Sequence, residues 1–175
     1  MVTKEDVKKT LDCVFIRKTI KVGLIFLAIA ELFTYISIMI QYRENIMKGF
    51  ISATVPGVMF LIFFAIPCIC CFCKYRSIVN NYKNYDVYEV VLDTPKWVKF
   101  QGGRGGRAYR YIVTFTTKHN QTITTKTSAL WSDGVFSVFD KRDYDNKKVK
   151  ILYDEQKDKV YVLGKVKRIG EQIES

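Results

Sequence analysis

The sequence predicts a membrane α-helical hairpin followed by an all-β domain, a small antiparallel β-barrel or sandwich of five to six strands. Three observations carry this. Residues 50–73 read FISATVPGVMFLIFFAIPCICCFC, 24 residues without a formal charge. A hydrocarbon core about 30 Å thick is spanned by about 20 apolar residues in a helix, and a buried soluble helix seldom stays uncharged for so long. Residues 22–40, VGLIFLAIAELFTYISIMI, form a second apolar run, broken only by Glu31. Beyond Lys74 the apolar period changes from helical to two, the mark of strands with one buried face.

These runs set the organisation. Residues 1–21 are expected to form an amphipathic interfacial helix, 22–41 the first transmembrane helix, and 42–49 an extracytoplasmic loop. The second transmembrane helix follows at 50–73, the β-domain at 84–165 and a tail at 166–175. The net charge of +11 is unevenly placed: residues 1–21 contribute +3, residues 74–175 contribute +8, and the stretch between is neutral. Short segments rich in Lys and Arg stay on the cytoplasmic side, so a multi-pass protein of the cell membrane with both termini cytoplasmic is expected, as in a bacterial inner membrane. A signal peptide is rejected, because the first run exceeds a typical apolar core of about 7 to 15 residues and no small-x-small site follows Ile40. The five cysteines need no disulfide on a reducing side.

In the first segment, Thr3 can cap a helix, Glu5 and Asp6 suit its first turn, and Val7, Leu11, Val14 and Phe15 fall on one stripe. Lys4, Lys8, Lys9, Arg17 and Lys18 would attract anionic headgroups. A solvated extension of the first span fits the same residues.

Glu31 is the residue least at home in its surroundings, since an ionisable side chain at mid-membrane costs about 2.5 to 3.5 kcal/mol on insertion scales. Thr34 and Tyr35, one turn on, could hydrogen-bond it, while residues 60–64 at matched depth offer no partner. Glu31, Thr34 and Tyr35 therefore form a candidate intramembrane partner site, facing a second copy of the hairpin or another membrane protein. A neutral Glu31 satisfied locally is the alternative. Pro56, Gly57 and Pro67 imply kinks in the second span. Cys68, Cys70, Cys71 and Cys73 crowd one helix end, far from His119, which does not suit a metal centre. They read as small apolar residues, or as acylation sites in a eukaryotic host.

In the β-domain, strands are expected around residues 88–92, 97–100, 109–116, 122–127, 149–153 and 159–163. Residues 118–121 and 154–158 are the turns of two hairpins, and Trp131 and Phe136 would plug one end of the core. The segment GGRGGR, residues 102–107, matches part of a dinucleotide fingerprint but leads into a strand and not a helix, so no cofactor is expected. Its Arg104 and Arg107 mark a candidate binding loop. Nucleic acid is not the expected partner, because one Arg-Gly hexapeptide gives it little support. No nucleophile and base are brought together by spacing, which points away from an enzyme and leaves catalytic, cofactor and metal residues unassigned.

The order of parts, two spans followed by GGRGGRAYRYIVTFTTKHNQTITTKT and KKVKILYDEQKDKVYVL, resembles the bacterial membrane-protein family catalogued as domain of unknown function three-five-nine-two. The resemblance covers roughly residues 20–163 and implies a transmembrane hairpin bearing a small β-domain. Val149, Ile151, Tyr153 and Asp154 fit its V-x-V-x-Y-D strand, while Glu155 and Gln156 stand where the family usually has proline. It implies no activity. The functional expectation is a non-enzymatic, membrane-anchored binding or assembly module, whose partners are anionic headgroups and an unidentified protein or second copy. The alternative is an accessory subunit of a transporter or membrane enzyme complex that uses Glu31.

Overall fold

The computed structural model describes residues 2–42, 46–93, 95–98, 107–132 and 137–164. The chain divides into two compact units, one of residues 16–77 and one that joins residues 1–15 to residues 78–175.

The first unit is built from two long helices, α2 (Leu11–Gln41) and α3 (Ile46–Asn80). Both are long and apolar enough to cross a membrane, and neither apolar stretch is buried within the protein. Leu24, Phe26, Phe33, Phe63 and Phe72 all stand exposed, as side chains meant for lipid do. Small residues bring the two helices together. A Cβ added to Gly23 would lie 2.9 Å from Cys68 Sγ, and one added to Gly57 would lie 3.2 Å from Glu31 Oε2. Pairing Gly23 with Cys68 and Glu31 with Gly57 runs the helices antiparallel, in contact where a missing side chain lets backbones approach. α3 begins at Ile46, four residues before the expected span at 50–73.

In the second unit, α1 (Lys4–Lys8) opens with a capping box in which Thr3 accepts from the Asp6 N–H and the Asp6 carboxylate accepts from Thr3. The stripe expected to face lipid is covered by the protein's own β-domain: Val7 and Leu11 are 0% and 3% exposed. Thr10 bridges Leu163, and the Gly164 N–H donates to the Lys9 carbonyl at 3.1 Å.

Eight short strands follow: β1 (Tyr85–Val91), β2 (Lys96–Val98), β3 (Ala108–Arg110), β4 (Ile112–Thr116), β5 (Thr122–Lys126), β6 (Leu130–Trp131), β7 (Lys148–Asp154) and β8 (Lys159–Val162). They pair antiparallel in three small sheets, β1-β7-β8, β2-β3-β6 and β4-β5. Of the expected barrel or sandwich of five to six strands, the antiparallel sheets are present, and among the described residues no ring of strands closes into a barrel. The reason lies partly at Tyr111. The single strand expected over 109–116 changes partners there, from β2 and β6 to β5. The Tyr111 N–H donates to Thr127 Oγ1 at 3.0 Å, and its carbonyl accepts from the Thr127 N–H at 2.9 Å.

Alternation along β1 and β7 gives their sheet two distinct faces. Val90, Val149, Ile151, Tyr153, Val160 and Val162 point into one core with Tyr111, Val113, Phe115, Phe139 and Tyr144. Its rings meet closely, with Tyr88–Phe115 centroids 4.7 Å apart and Phe115–Tyr153 centroids 5.1 Å apart. On the opposite face, Tyr85 and Tyr161 pack with centroids 5.5 Å apart, and the Tyr85 hydroxyl donates to the Ile78 carbonyl at 2.8 Å.

Candidate functional site

Among the described residues the β-domain carries a groove of about 720 Å³ between the start of β3 and a short helix, α4 (Lys141–Tyr144). Its construction begins with Phe139, which is buried against Tyr109, Tyr111 and Tyr144 and anchors the segment leading into α4. The Asp140 carboxylate then accepts from the Arg142 N–H at 3.0 Å and caps the helix. On the other wall, the Arg107 carbonyl accepts from the Ser132 N–H at 3.0 Å and the Ser132 hydroxyl at 3.2 Å. The Ser137 hydroxyl donates to the Ser132 carbonyl at 2.7 Å and ties this wall to the segment leading into α4.

Arg107, Lys141 and Arg142 bring three positive charges to this groove, with Asp140 and Asp143 as its acids. The Lys141 ammonium lies 5.4 Å from the centre of the Tyr109 ring and 3.4 Å from Asp145 Oδ2. Behind it, the Tyr111 hydroxyl donates to Asp145 Oδ1 at 2.5 Å. Burial, followed by that hydrogen bond, holds the Tyr111 hydroxyl well above the usual phenol range. The groove is therefore a fixed polar surface of net positive charge on a packed aromatic base, suited to holding an anionic group.

Of the two residues expected in a binding loop, Arg107 lines the groove, while Arg104 lies outside the described residues. The sequence reading missed α4 with Lys141 and Arg142. Its signal was Asp140-Lys-Arg-Asp143, an acidic cap with a second acid three residues on, inside a stretch that showed no strand period. Trp131 stacks on Phe15 with centroids 6.2 Å apart, and Phe136 lies outside the described residues.

The intramembrane trio separates. Glu31 turns its carboxylate toward Gly57 of α3, a neighbour that the depth-matching of residues 60–64 did not foresee. Thr34 donates to the Ala30 carbonyl at 2.8 Å, and Tyr35 is exposed beside Ile36, Met39 and Ile40. Glu31 Oε1 is shielded and makes no hydrogen bond among the described residues. Cys68, Cys70, Cys71 and Cys73 form no disulfide, and among the described residues no three His, Cys, Asp or Glu side chains gather as metal ligands would. No family model, curated protein or solved structure matches this chain, so its own geometry is the ground for a functional reading.

Proposed function

We propose that this chain is a membrane-anchored, non-enzymatic binding module whose basic β-domain lies on the cytoplasmic side and receives an acidic segment of a protein partner. The observation that carries this reading is the groove of about 720 Å³ that Arg107, Lys141 and Arg142 line beside Tyr109. Carboxylates pair well with guanidinium groups, and an aromatic neighbour adds contact area at small entropic cost. The hairpin holds the module at the bilayer, where a partner of the same membrane meets it at raised effective concentration.

A photo-crosslinking residue at Ser137, in the full chain expressed in its own cells, tests the groove. One discrete crosslinked partner is expected, lost in Arg107→Glu/Arg142→Glu; a crosslink indifferent to that charge reversal would sink the reading. Orientation is tested by labelling with a membrane-impermeant thiol reagent. Lys48→Cys should label in intact cells and His119→Cys should not, and the reverse pattern would place the β-domain outside.

A second reading, an accessory subunit that contributes Glu31 to a proton or substrate path in a larger complex, is favoured by Glu31 Oε1, shielded and without a hydrogen bond among the described residues. Loss of function in Glu31→Gln with the groove intact selects it, whereas loss on deleting residues 84–165, with Glu31→Gln indifferent, selects the binding module.

A further inference from the structure

The outer face of the β1-β7-β8 sheet is half covered and half bare. By register, Tyr85, Val87, Glu89 and Val91 on β1 stand opposite Asp154, Leu152, Lys150 and Lys148 on β7, and all point away from the core. On β7 and β8, Leu152 is fully buried and its neighbour Tyr161 nearly so. Ile78 lies there too, its carbonyl accepting from the Tyr85 hydroxyl at 2.8 Å. Along β1, Val87, directly opposite Leu152, and Val91 are 46% and 50% exposed, the two exposed large hydrophobic residues of this unit among those described. Beside them Lys148 and Lys150 stand exposed, and with Lys9 they converge on a recess of about 280 Å³ floored by Leu163 and Gly164. The acids of this surface are engaged: the Asp6 carboxylate accepts from Thr3, and Glu89 lies 3.8 Å from Lys150.

We propose that this bare half-face, with Val87 and Val91 as apolar tips, Lys148 and Lys150 on the neighbouring strand and Lys9 at the adjoining recess, docks on an anionic lipid surface. The inference rests on the membrane-anchored reading and adds a second contact with the bilayer. One feature selects lipid over an acidic polypeptide. Isolated apolar tips beside lysines match an interface where phosphate meets acyl chain, since lysine can lay its stem on the apolar surface and keep its ammonium among headgroups.

The test uses the full chain in nanodiscs, with Cys68, Cys70, Cys71 and Cys73 replaced by Ser and a nitroxide on Val87→Cys. Collision with lipid-dissolved oxygen is compared with collision with an aqueous nickel chelate, in discs of phosphatidylcholine with and without phosphatidylglycerol. Phosphatidylglycerol should shift Val87 from aqueous to lipid-side accessibility. The shift should vanish in Lys148→Glu/Lys150→Glu and be absent for a nitroxide on His119→Cys in the β4–β5 turn. Equal accessibility in both lipids overturns the proposal, as does a shift that survives the charge reversal. Stronger shielding by soluble polyglutamate in phosphatidylcholine discs would reassign the face to an acidic polypeptide. A chain that does not enter the discs would overturn the membrane reading itself, while one that enters and shows no lipid dependence overturns only the docking face.

Discussion

Tyr111 and Thr127 are the residues on which the change of strand partners turns. Tyr111 is fully buried with its hydroxyl on Asp145, and Thr127, 2% exposed, both accepts from the Tyr111 N–H and donates to the Ser128 carbonyl. Thr127→Val keeps the shape but leaves a backbone N–H and a carbonyl without their partner inside the fold. A loss of about 1 to 3 kcal/mol is expected, read as a shift of the urea midpoint at constant slope. Tyr161 makes a separate prediction. Burial, then the nearby Asp12 and Asp154, push its hydroxyl up to about 12, against about 10 in an unfolded chain. A proton held more tightly in the fold stabilises below the unfolded value and is lost as pH rises through the folded one. Stability should therefore fall between about pH 10 and about pH 12, and Tyr161→Phe should flatten that part of the profile.

At the scale of elements, the two helices of the hairpin meet at glycines, and each glycine makes a test of the other. An added Cβ at Gly23 would lie 2.9 Å from Cys68 Sγ, close to the spacing of a Cβ from the far sulfur of a disulfide. Gly23→Cys should accordingly crosslink to Cys68 on oxidation, in a background where Cys70, Cys71 and Cys73 are Ser. Gly57→Leu would place its side chain against the Glu31 carboxylate, and the same crosslink should then form more slowly or not at all. An unchanged crosslinking rate would mean that the helices do not depend on this recess. The short α1 depends in turn on its cap. Thr3→Ala removes the hydroxyl that accepts from the Asp6 N–H, leaving only the Thr3 N–H bond to the Asp6 carboxylate, and should cost about 1 kcal/mol, visible as faster hydrogen exchange at Asp6 and Val7.

At the scale of the molecule, the β-domain is assembled from both sides of the hairpin. Residues 1–15 supply Val7, Leu11 and Cys13 to a unit otherwise drawn from residues 78–175. Expressed alone, residues 84–165 would leave without cover the surfaces that Ile78 and the N-terminal segment occupy. Such a fragment should bind a dye for exposed apolar surface and unfold at lower urea than the full chain. Addition of a peptide of residues 1–15 should reverse part of the effect, and a fragment as stable as the parent would show that the N-terminal segment contributes nothing to the fold.

Much of this was legible in the sequence because the signals were local. An uncharged run of 24 residues, the alternation in 109–116 and 149–153, and the acidic first turn after Thr3 each depend on residues within a few positions of one another. Helix existence, most strand positions and the hairpin turns follow from periodicity, capping and turn chemistry alone. What needed the tertiary structure was every question of partner. The stripe of Val7 and Leu11 would suit a lipid surface or a protein core equally well, and only its packing decided for the core. The side chain that Glu31 meets was fixed by the sliding register of two helices, which brings it to Gly57. Sheet closure was decided by where the chain exchanges strand neighbours at Tyr111, and the basic groove by a one-turn helix too short to leave a period. A sequence carries the free energy of local conformation close to its surface, whereas contacts between distant segments depend on many weak terms that only the folded arrangement sums.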